Sequence, residues 1–142
     1  MLRRLYRWLT GAYPGDFVGV PEMVYSPVAD GRPDPGEVVW TWVPFEDDHR
    51  RGKDRPVLLI GRDGRWLLAV MLTTKLRSRA DSRRGPADRV PVGAGGWDRQ
   101  RRPSEVKVDR IIRVKPSRIR REGAAIDAGR FAAVAEGVRR NA

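Results

Sequence analysis

The sequence predicts a small, mainly β domain in which short strands form a partly closed barrel and one helix packs against it at the C-terminal end. Apolar and β-branched residues occur in several short runs, an Asp-Gly pair separates two of these runs, and an apolar pattern with helical spacing ends the chain. A partly closed barrel leaves few exposed sheet edges in a small domain. The 142 residues are predicted to form one barrel domain, residues 35–142, after an N-terminal extension, residues 1–34.

Four strands are predicted in the barrel domain. The first covers residues 37–43, which are dense in β-branched and aromatic side chains. Residues 56–60 form an uninterrupted apolar run, which is typical of a strand buried on both faces. The Asp-Gly pair at residues 63–64 joins this run to residues 66–72 in a hairpin. Residues 104–114 alternate between apolar and polar for most of their length and predict one more long strand.

The C-terminal helix is predicted from a cap and a periodic apolar face. Asp127 is the N-cap candidate, and Phe131, Val134, Ala135 and Val138 follow at helical spacing. We therefore expect one amphipathic helix packed against the sheet.

Two loops are predicted to be charged. Residues 44–54 follow the first strand, and residues 74–103 form a longer basic and glycine-rich loop between the third and fourth strands. A loop of the second length is uncommon in a small domain and usually has a function or is disordered.

The N-terminal extension is predicted to be irregular. Five prolines with interspersed glycines in residues 13–35 exclude both a helix and a continuous strand there. Before them, apolar residues at helical spacing within residues 2–9 predict a short basic amphipathic helix. This helix either binds a membrane surface or a partner, or it is a tail that frays or docks on the barrel.

The composition excludes several classes of site. There is no cysteine and only one histidine, which excludes disulfides, thiol nucleophiles and metal sites built from several imidazoles. The N-terminus lacks the apolar run of a signal peptide, and no later segment approaches the length of a membrane span. The sequence predicts a soluble, cytoplasmic protein without stable membrane insertion.

The positive charge is concentrated in one part of the chain. The formal net charge is +11, and residues 76–121 alone contain 15 basic and 5 acidic side chains. Such a patch predicts a polyanionic partner. The alternative is an arginine-rich surface that serves solubility, although dispersed charge would serve solubility equally well.

Four sequence motifs, in order, resemble the PemK/MazF family of toxin endoribonucleases. They are Gly36-Glu37-Val38-Val39, then a charged loop with Gly52 leading to Arg55-Pro56-Val57-Leu58-Leu59-Ile60, then the strand end Leu72-Thr73, and finally residues 106–114 with the terminal helix. The resemblance covers roughly residues 35–139. The first 34 residues have no counterpart in the family, and the loop at residues 74–103 is unusually long.

The resemblance implies a fold, an activity and partners. The implied fold is an SH3-like barrel with a C-terminal helix, and the implied assembly is a homodimer with an RNA groove across its interface. The implied activity is sequence-selective cleavage of single-stranded RNA with no metal or other cofactor. A cognate antitoxin would occupy the groove.

The resemblance assigns catalytic roles to Arg55 and Thr73. A guanidinium group grips two phosphoryl oxygens and stays charged at any working pH, so Arg55 is predicted to stabilise charge on the phosphate. The alternative is a structural ion pair of Arg55 with Asp54 or Glu37. Thr73 would donate a hydrogen bond to the phosphate or position the 2′-hydroxyl, whereas Thr74 faces the other side of the strand.

The general base is predicted in the loop at residues 46–49. His49 is a candidate because histidine has the ordinary pKa nearest to neutrality, and Asp48 is a second candidate. A solvated loop without a catalytic role remains the alternative. No metal site is predicted here, because adjacent residues of one loop rarely converge on one ion.

RNA binding is predicted to combine a cationic track with an aromatic side chain. The track consists of Lys53, Lys75, Arg77 and Arg79, and Trp97 in the glycine-rich loop is the candidate for stacking on a base. The tryptophans of the strands are expected in the core or at a dimer interface.

Two other functions remain open from the sequence. One is a non-catalytic barrel that only binds nucleic acid through residues 76–121. The other is a CcdB-like poison of DNA gyrase, but such proteins rely on an aromatic and apolar C-terminal tip, whereas this chain ends in Arg139-Arg140-Asn141-Ala142.

Overall fold

The described part of a computed structural model of the chain is one antiparallel sheet with a helix at its C-terminal end. It comprises residues 12–28, 31–76 and 88–142, except for the side chains of residues 121–123. The strands are β1 (Glu37–Pro44), β2 (Gly52–Asp63), β3 (Trp66–Thr73), β4 (Arg89–Gly93), β5 (Ser104–Val114) and β6 (Ile119–Ala125), and the helix is α1 (Ala128–Arg140). Their order in the sheet is β4-β5-β3-β2-β1-β6.

The sheet is a partly closed barrel, which confirms the predicted fold class. Register shifts interrupt four of the strand pairs, β1–β6, β2–β3, β3–β5 and β4–β5. Such irregularities increase the local twist and bend a sheet. Within the described ranges, β4 and β6 form the two ends of the sheet and do not pair with each other.

The central hairpin is buried on both faces, as its apolar run predicted. Two residues, Gly64 and Arg65, connect β2 to β3, and Gly64 adopts a φ of +62° that suits a tight hairpin turn. Alternate residues of β2 and β3 belong to two separate core clusters. The first cluster contains Val38, Leu58, Ile60, Leu68, Val70, Leu72, Val106 and Val108 of the sheet and Phe131, Val134 and Val138 of α1. The second contains Val39, Val43, Val57, Leu59, Leu67, Ala69, Met71, Ile112 and Val114.

The helix begins and packs as predicted. The side chain of Asp127 accepts a hydrogen bond from the backbone N–H of Arg130, which caps the N-terminus of α1. The apolar face of α1 is buried in the first cluster, and Gly137 allows close contact with Val90 and Val108. In the ranges that the structure describes, no helix combines the length and the apolar character that crossing a membrane requires.

The structure contains two strands that the sequence pattern did not predict and a longer β2. β4 lies inside the segment expected to be a loop, and β6 follows the predicted last strand. β4 contains Pro91, and β6 contains charged residues and Gly123, all of which have low strand propensity. β2 begins at Gly52 because polar residues before the apolar run pair with β1.

The N-terminal extension lies along the barrel rather than apart from it. Phe17 forms an isolated bridge with Ile111, and Met23 forms another with Gly61. Residues 12–28 contain neither a helix nor a continuous strand, as their prolines predicted. The helix predicted within residues 2–9 lies outside the described residues.

Replacing Gly52 by alanine is expected to destabilise the protein. A Cβ atom at Gly52 would overlap the carbonyl oxygen of Val43 and the ring of Trp42, so the backbone of the β1–β2 pair would have to move. Overpacking of this kind costs about 1–3 kcal/mol, which chemical denaturation would measure as a lower free energy of unfolding. Gly96→Ala is the control, because its Cβ atom would meet its nearest neighbour at 3.7 Å. Equal stability of the two variants would contradict the described packing.

Candidate nucleic-acid interface

The central hairpin brings Arg55 and Thr73 together. β2 and β3 pair with Val57 opposite Met71. Continuing this register by two residues places Arg55 opposite Thr73, with both side chains on the same face of the sheet. Arg55 also lies opposite Thr41 of β1. The two residues singled out by the family resemblance are therefore neighbours at the end of the hairpin.

A basic groove begins at this pair. The groove, called here the Arg55 groove, has a volume of about 230 Å³ and runs from the β1–β2 loop across β3 to β5. Its charged lining residues are Arg55, Lys75, Arg89, Lys107, Arg110 and Glu46. Five positive side chains thus face one negative side chain, which favours a polyanionic ligand.

Three of the cations in the Arg55 groove have no acidic partner among the described residues. These are Arg55, Lys75 and Lys107. Asp54 pairs instead with Arg120 at 3.1 Å, and Glu37 accepts a hydrogen bond from the backbone of Asp34. The structural ion pairs considered for Arg55 are therefore not the ones that form.

The other two cations of the groove are held by carboxylates. Arg89 lies 3.6 Å from Glu105, and its guanidinium group also donates to the backbone oxygen of Lys75. Arg110 pairs with Asp16 of the N-terminal extension at 2.7 Å.

A second depression lies on the other side of the same pair. This depression, called here the Trp97 depression, has a volume of about 290 Å³, and its lining includes Lys53, Trp97 and Arg102. Arg55 and Thr73 line both the groove and the depression. They therefore stand between two concave surfaces, so a chain bound across them would have room on either side.

The structure does not bring His49 and Asp48 into the Arg55 groove. Asp48 turns back on its own loop, where its carboxylate accepts from the backbone and side chain of Arg50 at 3.1 Å. The hydrogen bond from the Arg50 side chain lowers the pKa of Asp48 below its ordinary value, which makes it a weaker base. The ring of His49 meets the ring of Tyr13 edge to face at 4.9 Å. Glu46 is the acidic residue of this loop that lines the groove.

The structure places Trp97, the residue predicted to stack on a base, in the core beneath the Trp97 depression. Its side chain is only 4% exposed and packs in the first core cluster. Its indole N–H donates to the hydroxyl of Ser104 at 3.1 Å, and its carbonyl oxygen accepts from the indole of Trp40 at 2.9 Å. A base needs an open ring face for stacking, and a tryptophan fixed in the core does not offer one.

Hydrogen bonds hold the chain beside Trp97 in a defined shape. The carboxylate of Asp98 accepts from the guanidinium group of Arg102 at 2.8 Å and 3.2 Å. This contact lowers the pKa of Asp98 to about 2. The carboxylate is therefore charged throughout the physiological range, and the edge of the Trp97 depression is fixed.

The predicted cationic track is only partly described. Lys75 lines the Arg55 groove, and Lys53 lines the Trp97 depression. Arg77 and Arg79 lie outside the described residues. In the ranges that the structure describes, no three histidine, cysteine, aspartate or glutamate side chains are grouped as metal ligands would be.

Sequence reasoning did not single out Lys107 and Arg110 as residues of the groove, and a bulge places Arg110 there. β3 and β5 pair with Met71 opposite Lys107 and Ala69 opposite Ile112, so residues 108–111 of β5 face a single residue of β3. A bulge of this kind redirects the side chains within it. In the sequence, the basic patch at residues 76–121 contains both residues, and the alternation breaks near Ile111 and Ile112.

Comparison with known proteins places this geometry in a family. Residues 34–141 match the PemK-like, MazF-like toxins of type II toxin-antitoxin systems. This match does not favour the gyrase-poison alternative. No curated protein sequence matches the chain.

Two solved structures with similar folds come from mycobacteria. One is an endoribonuclease in complex with its cognate antitoxin from a mycobacterial species. It is 16% identical to this chain with a TM-score of 0.56, and the similarity covers 77% of this chain and 93% of that one. The other is the Mycobacterium tuberculosis toxin MazF-mt6. It is 21% identical with a TM-score of 0.50, and the similarity covers 72% and 94% of the two chains. At these identities the similarity establishes the fold alone.

Proposed function

The chain belongs to the PemK-like, MazF-like toxins of type II toxin-antitoxin systems, and we propose that it is an endoribonuclease that cleaves single-stranded RNA at Arg55 and Thr73. One observation carries this proposal. Arg55, which has no acidic partner among the described residues, lies opposite Thr73 where a basic groove and a second depression meet. A phosphate held between the two would have RNA on both sides.

The reaction proposed is attack of a ribose 2′-oxygen on the adjacent phosphorus. A P–O2′ bond forms, the P–O5′ bond breaks, and the products carry a 2′,3′-cyclic phosphate and a 5′-hydroxyl. Negative charge builds on the phosphoryl oxygens in the transition state, so donors placed there accelerate the reaction. The 2′-hydroxyl must also lose a proton to a base, and the leaving 5′-oxygen must gain one from an acid or from water.

Arg55 and Thr73 fit the stabilising role. The guanidinium group of Arg55 can donate two parallel hydrogen bonds to phosphoryl oxygens. The Thr73 hydroxyl oxygen accepts from the backbone N–H of Lys75 at 3.1 Å, which leaves its own hydrogen available to donate. Both donors are already in place because they lie on adjacent strands.

Glu46 is the proposed base. Its carboxylate lines the Arg55 groove, whereas the carboxylate of Asp48 is engaged by Arg50 and His49 packs on Tyr13. A carboxylate within reach of the 2′-hydroxyl can accept its proton. Lys75 and Lys107 would bind the phosphates on either side of the scissile one.

The partners proposed follow from the same groove. The endoribonuclease in one similar structure is bound to its cognate antitoxin. We infer that an antitoxin occupies the basic Arg55 groove of this chain and excludes RNA from it. We also infer a homodimer with RNA lying across its interface, acting in the cytoplasm without a cofactor.

Incubation of the purified protein with a long single-stranded RNA in EDTA tests the proposed activity. We expect cuts at defined positions, with 5′-hydroxyl ends and 2′,3′-cyclic phosphates. A matched oligonucleotide with a single 2′-deoxy sugar at the mapped cut site should resist cleavage, because it lacks the attacking oxygen. Intact RNA at stoichiometric protein would contradict the proposal and favour a protein that only binds nucleic acid. Cleavage that EDTA abolishes would indicate a metal-dependent nuclease instead.

A further inference from the structure

The N-terminal extension places a carboxylate on a cation of the Arg55 groove. Asp16 accepts from the guanidinium group of Arg110 at 2.7 Å and 3.2 Å, so both carboxylate oxygens are used. The Arg110 side chain is only 7% exposed, and the Asp16 side chain is 23% exposed. Asp16 lies outside residues 34–141, which match the toxin family, whereas Arg110 lies within them.

The carboxylate of Asp16 occupies Arg110 in the way that a phosphate would. In both cases two oxygens of one anionic group face the donor edge of the planar guanidinium group. Lys107, three residues before Arg110 on β5, also lines the groove and has no acidic partner among the described residues. A phosphate bound by Arg55 and Lys107 would therefore lie beside a cation whose charge Asp16 already neutralises.

The bulge in β5 explains how the N-terminal extension reaches this position. Because residues 108–111 face a single residue of β3, part of their backbone is left without a partner in the sheet. The N–H of Phe17 donates to the carbonyl oxygen of Ile111 at 2.9 Å. The extension therefore pairs with backbone of β5 that has no partner in β3. Asp16 precedes Phe17, which forms this pairing, and so lies close to Arg110.

Tyr13 and Arg113 hold Asp16 in place. The Tyr13 hydroxyl donates to the Asp16 carboxylate at 2.6 Å and accepts from the backbone N–H of Arg113 at 3.1 Å. The guanidinium group of Arg113 donates to the carbonyl oxygens of Gly15 and Asp16 at 2.8 Å and 3.1 Å. Burial raises the pKa of Tyr13 well above its ordinary value, so its hydroxyl remains a donor.

The backbone pairing of the extension with the sheet is local, because it consists of isolated bridges. Beyond Phe17 the extension turns outward, and the side chains of Val18 and Val20 are 90% and 53% exposed. Its next backbone contact with the sheet is near Met23, which bridges to Gly61. A segment held by isolated bridges opens at a lower free energy than a strand within a continuous ladder.

We propose that Arg110 is a phosphate-binding residue of the Arg55 groove and that Asp16 occupies it in the free protein as an intramolecular competitor of RNA. This role of Arg110 rests on the proposed function, because it requires RNA to lie in the groove. It adds a regulatory part to that function: RNA gains the Arg110 contact only when Asp16 leaves.

Binding of a single-stranded 2′-O-methyl RNA oligonucleotide tests this competition, because that probe lacks the attacking hydroxyl and cannot be cleaved. Fluorescence anisotropy would give its affinity for the full chain over a series of salt concentrations. We expect Asp16→Asn to bind about tenfold more tightly than the unchanged protein, the factor that corresponds to one added charge-assisted hydrogen bond. The slope of log K against log salt should steepen by about 0.7, as one more phosphate contact requires.

The Arg110→Gln variant shows whether Asp16→Asn raises the affinity through Arg110 or only by removing one negative charge. Arg110→Gln alone should bind the probe more weakly than the unchanged protein, because it removes the phosphate contact and leaves the Asp16 carboxylate without its ion pair. Adding Asp16→Asn to Arg110→Gln should then give a much smaller gain than in the unchanged protein, without a steeper salt slope. Asp63→Asn is the matched control, because it also removes one carboxylate charge beside an arginine. Asp63 contacts Arg113 at 3.0 Å, and Arg113 does not line the Arg55 groove.

Tyr13→Phe provides a second variant that changes no charge. It removes the hydrogen bond to Asp16 and should raise the affinity in the same direction as Asp16→Asn, by a smaller factor. If Asp16→Asn does not fold, the affinity of Tyr13→Phe for the probe tests the competition instead.

Three results would overturn the competition. One is an unchanged or weaker affinity of Asp16→Asn and Tyr13→Phe, which a purely structural role of Asp16 predicts. Another is an equal gain in Asp63→Asn, and the third is a full gain in the Arg110→Gln background. If the protein cleaves RNA but the affinity does not change, only the competition fails. If the affinity rises through Arg110 but no RNA is cleaved, only the proposed catalysis fails.

Discussion

Replacing Arg55 by alanine is expected to slow RNA cleavage by a factor of about 100 to 1000, the usual effect of removing one donor from a site that stabilises transition-state charge. Arg55 has no ion pair among the described residues, and its side chain lies at the groove and not in a core cluster. The stability of the protein should therefore change little. Single-turnover cleavage of an oligonucleotide that contains the mapped site would measure the rate, and thermal unfolding would measure the stability.

Two further variants make the Arg55 result specific. Arg55→Lys keeps the charge but loses the planar fork of donors, so we expect a rate between those of the unchanged protein and Arg55→Ala. Arg65→Ala removes the same side chain from the turn at the opposite end of the hairpin and should cleave at the normal rate. Full activity of Arg55→Ala would exclude Arg55 from the catalytic site.

The parts of the fold that could be predicted are those whose own side chains form a regular pattern. The hairpin of β2 and β3 has a continuous apolar run on each side of a glycine turn, so its burial and its pairing follow from local sequence. The helix has both a capping aspartate and an apolar face at helical spacing. In these elements, local preference and tertiary packing agree.

The two strands that the sequence did not predict, β4 and β6, are stabilised by the strands beside them. β6 is stabilised by pairing with β1, although its sequence is charged and contains Gly123. β4 is stabilised by pairing with β5 and by contact with α1, although it contains Pro91. Because the neighbouring strand decides whether such a segment forms a strand, the residues of the segment itself carry little information about its secondary structure.

The site was predictable to the same extent. Arg55 lies within β2 and Thr73 ends β3, so the family resemblance selected them and the register brings them together. Arg110 enters the groove through an irregular register, which no periodic pattern shows. The ion pair of Asp16 with Arg110 joins residues 94 positions apart, a distance over which local sequence gives no constraint.

Replacing Phe131 by alanine is expected to have the largest effect on stability, because this side chain joins three parts of the molecule. It is 5% exposed in the first core cluster, it lies on α1, and its ring is 5.2 Å from the ring of Tyr25 in the N-terminal extension. Truncating a buried phenylalanine costs about 3–5 kcal/mol through lost burial and the cavity that remains. For a chain of this size, the midpoint of thermal unfolding should fall by roughly 10 °C.

The control for Phe131→Ala lies on the same helix. Arg139 is exposed and contributes a surface ion pair with Glu136 at 3.5 Å, so Arg139→Ala should change the free energy of unfolding by less than about 0.5 kcal/mol. Denaturant titration of both variants compares a core contact with a surface contact on one element. If Phe131→Ala lost less than about 1 kcal/mol, the cavity term expected for a packed site would be missing. The helix would then not be packed on the barrel through Phe131.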